Sequence, residues 1–400
     1  MTPKPDQESA ILYLATEAVF HRDPFGKIWS KDIHDNSFWL NYLKFFDHII
    51  VVARVKNGME TAPNSMAIDD QRVAVLALPH YKGAAGFMSA APRLAHILWT
   101  ETKTVKTALL RLPGPLGSLL GMCLVARRVG FAVELVGDVD EVMGTSNFSI
   151  ATKLARLPLK WVTQILCKKA YVISYVTSRT LQKKYGANRT ATQFACSDVK
   201  LEPSDFARHP REKRDSSTAE AVFCGSLAQM YKGLDVLIRA VGILRHKKIL
   251  LHVKVIGDGV YRAELERLAG DNGVADQFTF VGQITRVQVM QALESADLFV
   301  MPSRTEGLPR ALVEAMAKGL PCIASNVGGI PELLSQEVLV APNDVRALAV
   351  MLERFLQNPR FMNSEAERNL GVAKKHFSIA HLELQRNNFL AGIRNNVDEA

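Results

Sequence analysis

The sequence is short of three things. Its 400 residues hold only five cysteines, at positions 123, 167, 196, 224 and 322. They are too scattered for a C-x-x-C clip and odd in number, which excludes a zinc ribbon and a disulfide scaffold and suits a reducing compartment. Long hydrophobic runs are missing too. The most apolar stretch, Leu112–Ala126, is broken by Pro113 and Pro115 and is shorter than the ~18–20 residues a membrane span needs. Met1–Gln7 is polar and carries no signal-peptide pattern. The third shortage is of acid in one half. Residues 1–200 carry 25 Lys and Arg against 16 Asp and Glu, whereas residues 201–400 carry 24 of each, so the whole net charge of +9 lies in the first half. Segment 151–200 has ten basic residues and a single acid, Asp198. This asymmetry predicts two modules, the basic one facing something anionic. Nucleic acid is set aside as that partner, because no reader motif occurs and the aromatics are not interleaved with basic residues.

What is present is globular: 48% hydrophobic and 22% charged residues over a length that suits two domains. Short β-branched runs alternate with helical patterns in both halves. They include Ala10–Thr16, His48–Val55, Arg72–Leu78 and Thr107–Leu112 in the first, and Ala221–Leu227, Leu250–Gly257, Phe278–Gly282 and Leu298–Pro302 in the second. Nearly continuous apolar runs are the mark of parallel strands buried on both faces. The expected fold class is α/β, with two doubly wound, Rossmann-like parallel sheets facing a central cleft. The expected boundaries are 1–200, a Pro-containing charged linker 201–219, a second domain 220–376, and a C-terminal helix 377–400 crossing back to the first domain. Ligands in such sheets sit beyond the carboxyl ends of the strands.

Three stretches carry chemistry. In Met301–Pro321 a strand ends at Pro302, a loop holds Glu306 and Gly307, and a helix is expected from near Leu308, with Pro309 in its first turn. The free N–H groups of that turn form an anion site. Glu306 precedes it and Glu314 lies about 12 Å further along the helix at ~1.5 Å per residue. That separation suits hydroxyls at the two ends of one elongated ligand with an anion between them. A dipole-stabilised Glu306 and a solvated Glu314 are the plainer alternative, but the apolar neighbours Leu312, Val313, Ala315 and Met316 make Glu314 a buried carboxylate in need of a partner. In Val222–Leu237, Gly225 lets backbone approach a ligand and Lys232, before Gly233, offers a point charge for phosphate, or is a surface Lys at a helix start. Val255-Ile-Gly-Asp-Gly259 is a similar strand–turn–helix without full dinucleotide spacing.

These pieces, with Phe280–Gly282, the Ala296–Ser303 strand and Val327–Glu332, resemble in order the nucleotide-sugar domain of the retaining family-4 type glycosyltransferases of GT-B fold and E-x7-E motif. In the first half Leu109–Gly117 and Val133–Asp138 look like the corresponding units of bacterial polysaccharide-type members. The resemblance implies a donor site of Gly225, Ser226, Lys232, Gly257, Gly259, Val281, Gln283, Glu306, Gly307, Leu308, Arg310, Ala311 and Glu314. Glu306 would take donor-sugar hydroxyls, Glu314 the ribose, Lys232 and the N–H groups near Arg310 and Ala311 the diphosphate, and the Phe280–Gln283 loop the base. Catalytic roles fall to Glu306, Lys232 and, toward the acceptor hydroxyl, Asp138. The acceptor would meet Glu17, His21 and Arg22 in the first strand–helix loop, and Arg111. Three departures stand out: Ser226 where many members have Arg, Pro309 where many have Gly, and no His in the strand ending Arg111-Leu-Pro113.

The implied activity is retaining transfer of a hexose-type sugar from a nucleotide diphosphate sugar to a sugar or lipid-linked sugar acceptor, in polysaccharide or lipopolysaccharide assembly. Alternatives are transfer to a small antibiotic-type molecule, a nucleotide-sugar epimerase of the same fold, and a non-catalytic sensor. No metal or other cofactor is expected. Asp138-Val-Asp140 is a D-x-D but follows a buried strand, which suits a cleft wall better than a metal site. Helix Ser149–Lys169, with Ile150, Leu154, Leu157, Trp161 and Ile165 on one face and Lys153, Arg156, Lys160 and Lys168 on another, fits an anionic membrane surface or ordinary packing on the sheet. The expected location is cytoplasmic, peripheral at the inner face of the membrane.

Overall fold

The computed structural model describes residues 9–31, 36–58, 65–140, 150–212 and 218–398. The chain forms two compact units, Met1–Cys196 with Leu384–Ala400, and Ser197–Glu383.

The first unit contains β1 (Ile11–Arg22), β2 (Ile28–Lys31), α1 (Asn36–Leu43), β3 (His48–Asn57), β4 (Ser65–Ala67), β5 (Val73–Pro79), α2 (Gly83–Glu101), β6 (Ala108–Leu112), α3 (Pro115–Arg127), β7 (Ala132–Leu135), α4 (Ile150–Lys169), β8 (Val172–Tyr175), α5 (Thr180–Lys184) and β9 (Thr192–Ala195). Seven strands pair in the order β5-β3-β1-β6-β7-β8-β9, all parallel. One face is covered by α2, α3 and α4, through Leu94, Leu98, Leu120, Leu124 and Leu166. The first strand is longer than the sequence suggests. A bulge between Ala15 and Val19 lets it run on to Arg22 and pair antiparallel with β2, which in turn pairs with β4. Residues 16–22 are therefore an extended strand rather than a strand–helix loop. The expectation for this segment is corrected accordingly: His21 and Arg22 lie opposite Trp29 and Ile28.

The second unit contains β10 (Ala219–Cys224), α6 (Leu234–His246), β11 (Leu251–Ile256), α7 (Arg262–Asp271), β12 (Phe278–Gly282), α8 (Arg286–Ser295), β13 (Leu298–Met301), α9 (Arg310–Ala317), β14 (Cys322–Ser325), α10 (Ile330–Leu333), β15 (Leu339–Val340), α11 (Val345–Gln357), α12 (Pro359–Phe377) and α13 (Ile379–Asp398). Its sheet runs β12-β11-β10-β13-β14-β15, every pair parallel. Residues 201–212 are packed against this unit: Ala207 N–H donates to Ala317 O at 2.8 Å and Arg211 N–H to Gly319 O at 2.8 Å.

From Leu384 on, α13 belongs to the first unit. Phe389, Leu390 and Ile393 join Leu109, Ala132 and Val172 on the sheet face opposite α2–α4. A buried charge fixes this docking. Glu134 is 2% exposed in mid-sheet and meets Arg111 Nε at 2.9 Å and Arg386 Nη2 at 2.8 Å. Burial alone would raise the Glu134 carboxyl, but the two guanidiniums outweigh it and hold the pKa below the ordinary value. Arg111 is thus turned toward Glu134 on the face covered by α13.

α4 runs as one helix through Pro158. Its expected apolar face is only partly packed away: Leu157 is 74% and Trp161 64% exposed, while Ile165 is half-buried. The side chains of Ile150, Lys153 and Leu154 lie outside the described residues. Among the described residues no helix is long and apolar enough to cross a membrane.

Removing the Glu134 charge takes away the buried carboxylate that the partly buried Arg111 and Arg386 guanidiniums share. Glu134→Gln should cost about 3 kcal/mol, read as a lower denaturation midpoint of the first unit. Because the folded pKa is lowered, the stabilisation is present at neutral pH and fades only as pH falls through that folded value. The wild-type–variant gap should therefore close in strong acid.

Candidate functional site

In the second sheet the strand order reverses between β10 and β13, and a crevice opens there beyond their carboxyl ends. The loops after these two strands supply the site. After β10, Gly225 leads to a 3-10 turn, Met230–Lys232, and Gly233 at φ +73° starts α6. No side chain fits at Gly233, because a Cβ there would overlap Pro302 O. The 230–232 turn is therefore held hard against the end of β13. After β11, Gly257 at φ +133° packs its backbone on Gly225 in the same way. At the end of β12 and just beyond it, Val281 and Gln283 are exposed.

The Lys232 ammonium donates to Glu306 Oε1 at 2.7 Å, and Ser303 Oγ donates to the same oxygen at 2.6 Å. Glu306 is 7% exposed. Burial works to lower the Lys232 pKa, but the Glu306 charge and hydrogen bond, with Tyr231, outweigh it and keep it raised. The ammonium also lies 5.0 Å from the centre of the Tyr231 ring. Arg304 joins the two loops. Its backbone N–H donates to Tyr231 O at 2.7 Å, its guanidinium grips Asp235 at 2.9 and 2.8 Å, and Nη1 also donates to Met230 O.

α9 begins at Arg310, two residues later than expected, because Pro309 stands outside it in an extended conformation as the capping residue. Its first-turn N–H groups, those of Arg310 and Ala311 among them, have no intrahelical acceptor. Gly307 and Leu308 bridge Glu306 to this turn, and Gly307 O accepts the Gly329 N–H at 2.8 Å. Further along, Glu314 is 6% exposed. Its Oε1 lies 3.5 Å from Arg286 Nε, and Arg286 Nη2 donates to Asp205 Oδ2 at 2.7 Å. Burial raises the Glu314 carboxyl, against the pull of Arg286 and Arg310. Cys224, between the two ends, has its thiol pushed up to about 11 by burial and by Glu314.

Lys232 and Glu306 are thus brought into contact, with the glycine loops Gly225 and Gly257–Gly259 beside them. Glu314 stands apart with its own cation. Ser226 is exposed and accepts the Ala228 N–H at 3.2 Å. Four members of the site escaped the sequence analysis: Ser303 and Arg304, inside the motif stretch, and Asp205 and Arg286, which lie 81 positions apart and share no pattern.

At the carboxyl edge of the first unit, Glu17 sits on the β1 bulge, at the switch point between β1 and β6. Oε1 accepts Leu116 N–H at 2.7 Å and Oε2 accepts Tyr81 O–H at 3.0 Å, with Arg54 Nη2 at 3.4 Å. Glu17 thus caps α3. Asp138 accepts Tyr185 O–H at 2.7 Å and a bond from Lys184. Asp140 accepts from Arg156 at 2.6 Å and Lys160 at 3.1 Å. Burial opposes its ionisation, but Arg156, Lys184 and Lys160 prevail and hold it well below the carboxylate range. Asp138 is thus bonded to Tyr185 and Lys184, and Arg156 and Lys160, two of the basic residues expected to face a membrane, pair with Asp140. Among the described residues no group of three or more His, Cys, Asp or Glu is placed to hold a metal ion.

Residues 205–376 match the family model described as glycosyl transferases group 1. Protein CapJ of Staphylococcus aureus is 25% identical over 346 residues, 86% of this chain and 85% of its own length. The amylovoran biosynthesis glycosyltransferase AmsK of Erwinia amylovora is 38% identical over 135 residues, 32% of this chain and 33% of its own length. Among solved structures, HepE of Anabaena in complex with UDP superposes with a TM-score of 0.64 at 17% identity, covering 96% of this chain and 99% of that one. The two doubly wound units are a GT-B fold.

Arg304→Ala would leave the buried Asp235 with Arg239 at 3.7 Å as its remaining ion pair. Loss of one partner of a buried pair costs roughly 3 kcal/mol. A fall of several degrees in melting temperature is expected, largely rescued by also replacing Asp235 with Asn.

Proposed function

We propose that the chain, whose residues 205–376 match the glycosyl transferases group 1 family model, transfers a sugar from a nucleotide diphosphate sugar with retention. The observation that carries the proposal is the Lys232–Glu306 ion pair at the switch point, next to the α9 N-terminus. A diphosphate between the Lys232 ammonium and the α9 N–H groups meets charge of the right sign from both sides. Glu306 receives its bonds from Lys232 and Ser303 on Oε1, so Oε2 is the oxygen for a donor-sugar hydroxyl. Glu314 takes the ribose, Val281 and Gln283 border the base, and no metal is required.

In this mechanism the bond from the sugar's anomeric carbon to the diphosphate breaks. The acceptor oxygen bonds that carbon on the same face, and its proton passes to the departing diphosphate oxygen. The protein supplies orientation and charge rather than a nucleophile. The amylovoran relative favours a polysaccharide setting and a sugar or lipid-linked sugar acceptor taken by the first unit. The epimerase and sensor alternatives are separated by one assay, whether donor is consumed without acceptor, only with it, or not at all.

The first unit also offers a docking surface for an anionic bilayer. Helices α2, α3 and α4 share one face and together hold one acid, Glu101, against seven Lys and Arg. On this layer Leu157, Trp161 and Met88 are 74%, 64% and 62% exposed, with Lys168 and Lys169 exposed beyond them. Apolar and aromatic side chains beside unopposed lysines fit the interface of an anionic membrane.

Two outcomes are expected. Glu306→Ala should abolish transfer while leaving nucleotide diphosphate binding within about twofold, whereas Glu314→Ala should weaken nucleotide binding about tenfold or more. Calorimetry with free nucleotide and an acceptor-dependent assay in EDTA check both, and equal effects of the two variants would reverse the assignment. Wild-type protein should bind phosphatidylglycerol vesicles and release them between roughly 50 and 300 mM salt. Leu157→Ser with Trp161→Ser should remove that binding without changing nucleotide affinity, and indifference to vesicles at low salt rules the surface out.

A further inference from the structure

Asp205 and Arg286 have no role in the mechanism above, yet with Glu314 they join three distant segments of the second unit. Each member is fixed from outside. Arg286 opens α8, whose start is set by a reciprocal Thr285–Gln288 capping box. Asp205 Oδ2 accepts the Glu202 N–H at 2.9 Å as well as Arg286 Nη2 at 2.7 Å. Glu314 is held in mid-α9 among Leu312, Val313, Ala315 and Met316, all buried. The carboxylates are 9% and 8% exposed in their side chains, while the guanidinium between them is 49% exposed. One planar guanidinium thus serves two buried carboxylates, which a Lys point charge would do less well.

The two contacts differ in kind. Arg286–Asp205 is a closed hydrogen bond. Arg286–Glu314, at 3.5 Å, is electrostatic contact that leaves Glu314 acceptor capacity. A ribose diol presents two O–H donors, and an ionised carboxylate accepts both, whereas a protonated one gives up an acceptor site. Burial and Asp205 favour protonation of Glu314, and Arg286 and Arg310 oppose it.

We infer that Arg286, anchored by Asp205, is a positioning residue that keeps the Glu314 carboxylate charged and oriented for the ribose hydroxyls of the donor nucleotide. This rests on the donor-site reading of Glu314. It assigns a job to two residues outside the motif, and it makes ribose recognition depend on a cation that need not touch the ligand.

The test is calorimetry on the full chain with UDP, GDP and ADP and with their 2′,3′-dideoxy counterparts, comparing wild type, Arg286→Ala, Arg286→Lys and Asp205→Asn. Wild type should favour at least one ribonucleotide over its dideoxy form. Arg286→Ala should lose about tenfold in affinity for that ribonucleotide and less than about twofold for the dideoxy form. Arg286→Lys should recover part of the loss, and Asp205→Asn should show a smaller loss of the same selective kind. Equal losses for both ligands would make Arg286 merely structural and overturn the inference, as would unchanged ribonucleotide affinity in Arg286→Ala. If Arg286→Ala does not fold, the Lys and Asn variants carry the same comparison. Wild-type binding without preference for ribose also overturns it but leaves the diphosphate site standing, whereas wild type that binds none of the nucleotides removes the donor site itself.

Discussion

A lysine 17% exposed and a glutamate 7% exposed in their side chains meet at 2.7 Å where two neighbouring strands of the second sheet end, and the rest of that unit is arranged to allow it. Both charges are desolvated, so each needs the other. The 3-10 turn bearing Lys232 is pressed on the end of β13 because Gly233 has no side chain. Arg304 ties that turn to the Glu306 loop through Asp235. The strand order puts β10 beside β13, so that the two loops leave from adjacent strands in opposite directions.

The same economy of charge recurs across the molecule. Glu134 neutralises Arg111 and Arg386 inside the first unit, Asp140 neutralises Arg156 and Lys160, and Arg286 is shared by Asp205 and Glu314. Formal charge counts therefore mislead about what a partner meets. The excess of basic residues in the first half is partly consumed by internal carboxylates. What is presented outward includes Lys168 and Lys169, on the helix that also exposes Leu157 and Trp161. Likewise Glu17 and Asp138 stand near the carboxyl ends of the first unit's strands and spend oxygens on Leu116, Tyr81, Tyr185 and Lys184.

The parallel strands were legible because strands buried on both faces must be apolar almost without interruption, as in Ile49–Val52 and Leu298–Met301. Strands β2 and β4 were not. They are short, antiparallel and at an edge, and the strand they extend carries Glu17, His21 and Arg22 across a bulge. The outward turn of α4 was also hidden. Its apolar and basic stripes were evident, but which of them meets the sheet depends on the rotation of the helix against α2 and α3, and that is decided by packing at Thr163, Leu166 and Cys167.

By itself the sequence determined the α/β class, the alternation of elements, and the two loops on which Lys232 and Glu306 stand. All of these follow from local rules of periodicity, turn chemistry and helix termini. Only the tertiary structure decided which charges meet. Asp205 reaches Arg286 across 81 positions and Arg386 reaches Glu134 across 252, and no local pattern encodes such pairs. They form because a desolvated charge must find an opposite one wherever the packing of the elements brings it near.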